Sequence, residues 1–137
     1  MKNKFKALVN NFLSAFNLRL VKLDNNKRII SEMNQQSAYE LMHFIKPSQL
    51  INFVQNINSS KSQLAQDLFV LSELDFKKNG FFVEFGSTDG VSLSNTFLLE
   101  KQFFWNGILA EPCKQWQKKL NKNRDVFIEN NCVWHSS

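Results

Sequence analysis

The chain has 137 residues, 43% of them hydrophobic and 21% charged, which suits one modest soluble globular domain and is too short for two well-buried ones. Its net charge of +5 favours anionic partners but is too small to argue for nucleic-acid binding, and no apolar run is long enough to span a membrane. Two cysteines, Cys113 and Cys132, lack C-x-x-C spacing and only two histidines accompany them, so neither a disulfide framework nor a metal site is expected and a reducing, cytoplasmic setting is the default.

The first element is a helix over residues 1–16. Phe5, Leu8, Val9, Phe12, Leu13 and Phe16 recur at helical spacing among Lys2, Lys4 and Lys6. The apolar residues form a stripe and no small-residue cleavage site follows, unlike a secretory signal. Two uses of the stripe stand: a peripheral contact with an anionic membrane surface, or packing on the domain or on a second copy of the chain, a homo-oligomer. Asn17 to Leu23 alternates as a short strand or extended arm, and Asp24 to Arg28 has the composition of a turn. Gln35 to Ile45 is expected to be helical and to end before Pro47, and Ser48 to Ile57 to form a shorter helix. Asn58-Ser59-Ser60 has linker composition and divides a helical N-terminal segment, residues 1–58, from residues 59–137. From Ser62, the residues Leu64, Leu68, Leu71 and Leu74 mark a helix running to Gly80 as its C-terminal cap, with Gln63, Gln66 and Asp67 on its polar side.

Gly80-Phe81-Phe82-Val83-Glu84-Phe85-Gly86 then reads as a buried strand, because an apolar run bounded by glycine is too short for a helix. Ser87-Thr88-Asp89-Gly90 is a turn, and the following helix carries Phe97, Leu98 and Phe103 inward with Glu100, Lys101 and Gln102 exposed and Ser92 or Ser94 as N-cap. A strand, a glycine turn and a helix start leave main-chain N–H groups free for a nucleotide-like ligand. The turn lacks the middle glycine of the dinucleotide fingerprint and holds Asp89, whose charge opposes a pyrophosphate but suits the cationic sulfonium and ammonium of S-adenosylmethionine. Glu84, at the end of the strand, would face the same crevice, and Asn95 is the polar residue at the helix start to test. Asn106 to Ala110 forms a second strand, ended by Glu111-Pro112 about 20 residues beyond the glycine turn, where an acid accepts hydrogen bonds from ribose hydroxyls. Trp105 should anchor helix to sheet, Lys114 to Lys122 should form a basic helix with Trp116 and Leu120 inward, and Val126, Ile128, Cys132 and Val133 mark a third strand. Trp134 and His135 follow its end.

Taken together, Phe82-Val83-Glu84-Phe85-Gly86-Ser87-Thr88-Asp89-Gly90, Ser94-Asn95-Thr96, Leu99-Glu100-Lys101 and Trp105 to Pro112 resemble the FkbM-type S-adenosylmethionine-dependent methyltransferases. The resemblance spans roughly Ser59 to the C-terminus, with Ser87 replacing the usual small residue after Gly86. It implies an α/β, Rossmann-like class I methyltransferase fold, here partial: about three parallel strands with flanking helices, preceded by the mainly helical N-terminal segment. It implies O-methylation of a hydroxyl on a small-molecule or glycan acceptor, a sugar or secondary metabolite. Glu84, Gly86, Ser87, Asp89, Gly90 and Asn95 fall on the cofactor loop, and Glu111 on the ribose contact. In that chemistry an acceptor oxygen attacks the sulfonium methyl in line; no catalytic residue is assigned. The alternative is a non-catalytic fragment or interaction module that retains part of the cofactor site. With the sheet incomplete, the first strand is expected to form an apolar edge open to pairing.

Overall fold

A computed structural model describes residues 25–133. The expectations for residues 1–16, for Asn17 to Leu23 and for Trp134 and His135 lie outside the described residues. The described chain is mixed α/β, with a three-stranded parallel sheet in the order β1-β2-β3. β1 is Phe81–Phe85, β2 is Asn106–Ala110 and β3 is Phe127–Glu129. The helices are α1 (Asn25–Leu41), α2 (Leu50–Asn56), α3 (Gln66–Glu73), α4 (Phe97–Phe103) and α5 (Lys114–Asn123), with short 3-10 turns at Met42–Phe44, Pro47–Gln49 and Ile57–Ser59. Among the described residues no helix is long and apolar enough to cross a membrane.

The topology follows from the alternation of strand and helix. Parallel strands cannot be joined by a hairpin, so α4 carries the chain from β1 to β2 and α5 from β2 to β3. Phe82 and Leu109 point to one face of the sheet, where they share a core with Leu68, Leu71, Leu98, Leu99, Phe103 and Leu120. Gly107 permits this packing: a β-carbon there would stand 2.5 Å from the Phe82 carbonyl oxygen. Trp105 anchors α4 to the sheet as expected, 6% exposed, with its indole N–H donated to the Lys77 carbonyl at 2.7 Å.

Several local expectations are corrected. The turn expected over Asp24 to Arg28 gives way from Asn25 onward to α1, since this polar cluster contains no glycine or proline to stop a helix. The helix expected from Ser62 to Gly80 spans only Gln66–Glu73. Ala65 ahead of it and Asp75 and Phe76 behind it adopt left-handed backbone angles, and the Phe76 N–H closes the helix on the Leu71 carbonyl at 2.7 Å. Gly80 is therefore no helix cap; it lies against Trp105, whose ring would be 2.5 Å from a β-carbon there. Asp67, expected on a polar face, is fully buried, and the Ser60 and Ser62 hydroxyls each donate to its Oδ1 at 2.7 Å. The third strand stops at Glu129, short of the exposed Cys132 and Val133.

The expected linker at Asn58 to Ser60 lies in or beside the 3-10 turn Ile57–Ser59, and Ser60 is buried. The core runs across this position: Ala38, Phe53 and Ile57 pack in one cluster with Leu68 and Leu71. Gln49 adds a polar tie, donating to the Ser72 carbonyl at 2.8 Å and to the Asp75 carboxylate.

β1 was expected to be buried and is covered on one face alone. Phe82 is 6% exposed, whereas Phe81, Val83 and Phe85 are 62%, 50% and 64% exposed. Register aligns Val83 with Ile108 and Ile108 with Phe127, and Phe127 is exposed as well, so the open face is a shared property of the sheet.

Candidate functional site

The sequence-predicted residues gather at the carboxyl ends of β1 and β2, around the loop from Gly86 to Thr96. Gly86 takes φ +70°, a left-handed angle costly for other residues, and hands its N–H to the Ala110 carbonyl at 2.8 Å. Nothing lies within 4 Å of where its β-carbon would be, so the main chain is approachable there. Gly90, at φ +78°, is the reverse case, with the positions of Arg124 Cγ and Leu120 Cδ1 at 2.6 and 2.7 Å from a β-carbon. Ser87 between them is 2% exposed, and its Oγ is buried with no protein partner.

Both strand-end acids serve this loop, from opposite ends. Glu111 is 5% exposed; its Oε2 accepts the Thr88 N–H at 2.8 Å and its Oε1 the Cys113 N–H at 2.9 Å. Glu84 takes the other end of the loop: Oε1 accepts the Asn95 N–H at 2.9 Å, and Oε2 accepts the Ser94 hydroxyl at 3.0 Å and the Thr96 hydroxyl at 2.5 Å. Ser94 passes the restraint onward, its Oγ accepting from the Thr96 and Phe97 N–H groups where α4 begins. The N-cap position itself is Thr96, not Ser92 or Ser94 as expected; Ser94 holds the helix start from two residues further back.

Asp89 closes its own turn, its carboxylate accepting the Val91 and Ser92 N–H groups at 3.0 and 2.8 Å and the Ser92 hydroxyl at 2.9 Å. Partial burial pushes this carboxyl up, but the Ser92 and Val91 N–H groups, the Ser92 hydroxyl and the charge of Lys119 outweigh it and hold the pKa below the ordinary value. The acid stays ionised at neutral pH.

Arg124 is the residue that sequence reasoning missed. Its guanidinium side chain is fully buried at the junction of α5 and β3. Nε donates to Glu100 Oε2, Nη1 to the Gly90 carbonyl at 3.0 Å and Ser94 Oγ at 3.1 Å, and Nη2 to Thr96 Oγ1 at 2.8 Å. Glu84 Oε2 stands 3.8 Å from Nη1, and the rings of Phe82 and Phe97 lie 5.6 and 5.8 Å away. Glu100, expected to be exposed, is buried as the partner of this cation. Burial raises its pKa, but Lys101, the Asp125 N–H and Arg124 together hold it below the ordinary range. A sequence signal for Glu100 existed: it shares a helical stripe with Thr96 and Phe103, four and three residues away. Arg124 had none, since an arginine after a lysine-rich helix reads as more solvated charge.

Two further ties complete the frame: the Asn123 amide donates to the Asp89 carbonyl at 2.8 Å, and the main chain at Leu93 bridges to Ser62 ahead of α3. The loop is thus held in one geometry by β1, β2, α5 and the segment before α3. Hollows among the described residues lie away from this loop. One of about 310 Å³ is lined by Glu100, Phe104, Trp105 and Asp125, and one of about 350 Å³ by Leu41, Phe44, Leu64 and Phe69. Among the described residues no cluster of His, Cys, Asp and Glu could hold a metal ion, and both cysteines are exposed free thiols. The chain matches no family model, no curated protein and no solved structure.

Proposed function

We propose that the loop from Gly86 to Thr96, with Glu111, is the nucleoside-binding part of a partial Rossmann-like, S-adenosylmethionine-dependent methyltransferase of the FkbM type. The observation that carries this reading is the hydrogen bond from the Thr88 N–H to Glu111, which brings the acid after β2 to the glycine turn after β1. This is the juxtaposition that ribose recognition in an open α/β sheet requires. Two properties of the residues fit the ligand. The Glu111 carboxylate accepts two N–H groups and keeps lone pairs for further donors, as a ribose diol would need. Gly86 leaves the main chain open beside it, and Ser87 Oγ is unspent.

S-adenosylmethionine would supply an activated methyl group on a sulfonium, for transfer to a sugar or secondary-metabolite hydroxyl. Glu111 would hold the ribose end. Glu84, Gly86, Ser87, Asp89, Gly90 and Asn95 would form the loop side, with the ionised Asp89 favouring a cation over a pyrophosphate. Arg124 and Glu100 act behind the loop, fixing the main chain of Gly90 and the hydroxyls of Ser94 and Thr96 so that little ordering is left to binding.

A second reading, a non-catalytic interaction module, is favoured by one observation: both strand-end carboxylates are already engaged by their own loop. Calorimetric titration separates the two. Wild type should bind S-adenosylmethionine and S-adenosylhomocysteine weakly, and Glu111→Gln, which keeps one acceptor oxygen for the loop, should lose about tenfold or more of that affinity. Equal binding by Glu111→Gln, or tight binding of NAD, would overturn the ligand assignment.

A further inference from the structure

The edge of β1 and the open face of the sheet are one feature. Among the described residues β1 has β2 as its single strand neighbour. The Gly80 carbonyl accepts from Asn106 and the Gly86 N–H donates to Ala110, which sets the even-numbered residues of β1 toward β2. The N–H and C=O groups of Phe81, Val83 and Phe85 therefore point away from the sheet, along its free edge. Those same three residues carry the exposed apolar side chains. β1 carries no lysine or proline to blunt this edge, and its one charge, Glu84, is tied to Ser94, Asn95 and Thr96 on the loop.

The pattern Phe-x-Val-x-Phe reads the same in both directions about Val83. We infer that the chain forms a two-fold symmetric dimer by antiparallel pairing of β1 with β1 of a second copy, centred on Val83. In that register Val83 faces its own counterpart, and Phe81 faces Phe85 of the other copy. These positions are the hydrogen-bonded pairs of an antiparallel ladder, because their main-chain groups are the outward ones. The aromatic rings on the open face then become cross-strand neighbours. A second copy is the fitting occupant because the interface is isologous: one self-complementary patch satisfies both partners. With Phe81 and Phe85 each about two-thirds exposed, the rings bring roughly 100 Å² apiece. Four such rings bury roughly 400 Å², well below the ~1,200 Å² at which stable interfaces begin, so the dimer is a weak, concentration-dependent one. This pairing goes beyond the nucleoside reading and does not depend on it.

Sedimentation velocity on the full chain across a range from low to high micromolar concentration tests the pairing. Wild type should pass from monomer to dimer. Val83→Pro removes an outward N–H without touching the bonds to β2, so it should stay monomeric over the same range with a wild-type circular dichroism spectrum. If that variant does not fold, Val83→Lys decides: it keeps the N–H but sets two charges against each other at the axis, and it should also be monomeric. Phe127→Lys, on the same face but away from the edge, should still dimerise. A wild type that stays monomeric, a folded Val83 variant that dimerises normally, or dimer loss in Phe127→Lys alone, which would mean face-to-face packing, each overturns the proposal.

Discussion

The two faces of the sheet use the same three strands and differ in what covers them. On one face Phe82 and Leu109 lie beneath α4 and α5, and the space around them is filled to the point that Gly107 admits no side chain. On the other, Phe81, Val83, Phe85 and Phe127 meet solvent. Parallel sheets are ordinarily covered on both faces, so the bare one is the unusual half. The covered half also carries the polar machinery: Arg124 joins the core, through Phe82, to the loop, through Gly90, Ser94 and Thr96. Core and candidate site therefore stand or fall together on that side, while the open face takes no part in that network.

The strongest way to break this contrast is to remove the buried cation. Arg124→Met removes the buried cation from Glu100, leaving it only the partly exposed Lys101 and the Asp125 N–H, and should cost about 3–5 kcal/mol in urea unfolding. Arg124→Lys should recover only a minor part, since an ammonium cannot reach Glu100, Gly90 and Thr96 from one planar fork. Unchanged stability in both would show that the network does not hold the fold. Next in size, Leu109→Ala on the covered face should cost about 2–5 kcal/mol by the same measurement.

The glycines sharpen the comparison. Gly107→Ala forces a methyl against Phe82 and should cost about 1–3 kcal/mol. Gly86→Ala meets nothing, so its stability cost should stay near the roughly 1 kcal/mol of a left-handed backbone angle, while nucleoside binding falls. Binding that survives Gly86→Ala with full affinity would place the ligand away from this loop.

Asp67 gives a pH-dependent test. Burial raises its pKa above the ordinary 3.8, against the lowering hydrogen bonds from Ser62, Ser60, Leu68 and Lys61. A raised acid contributes stability that is fully present below its unfolded pKa and is lost as pH rises through the folded one. Asp67→Asn does not titrate, so its urea midpoint should gain on that of wild type as pH is raised from about 3.8 upward. Parallel profiles would mean that Asp67 titrates normally. The smallest effect belongs to the open face: Phe127→Lys should change stability by no more than about 0.5 kcal/mol.

Most of the strand and helix order was legible in the sequence because alternation and punctuation are local. β1, β2 and α5 stand within a residue or two of their expected bounds, fixed by Gly80, Gly86, Pro112 and the spacing of Trp116 and Leu120. What escaped has physical reasons. A run of five apolar-rich residues does not reveal whether one face or two will be covered, so Phe81, Val83 and Phe85 read as buried. The ends of α3 depend on left-handed angles at Ala65, Asp75 and Phe76, residue types that carry no mark of that conformation. In the loop, the two acids were recognisable by spacing, but their partners, the main-chain N–H groups of Thr88, Asn95 and Cys113, leave no trace in side-chain chemistry. Long-range pairs such as Arg124 with Glu100 and Gly90 form only once β3 lies beside β2.

The central proposition, that the loop after β1 and the acid after β2 receive a cationic nucleoside, is tested most directly by amide chemical shifts. S-adenosylmethionine added to the isotopically labelled chain should move the resonances of Gly86, Ser87, Thr88 and Cys113 together. Glu111→Gln should need about tenfold or more ligand for the same response while leaving the rest of the spectrum in place. Shifts absent from this loop, or clustered instead around Phe104 and Trp105 or Phe44 and Phe69, would contradict it.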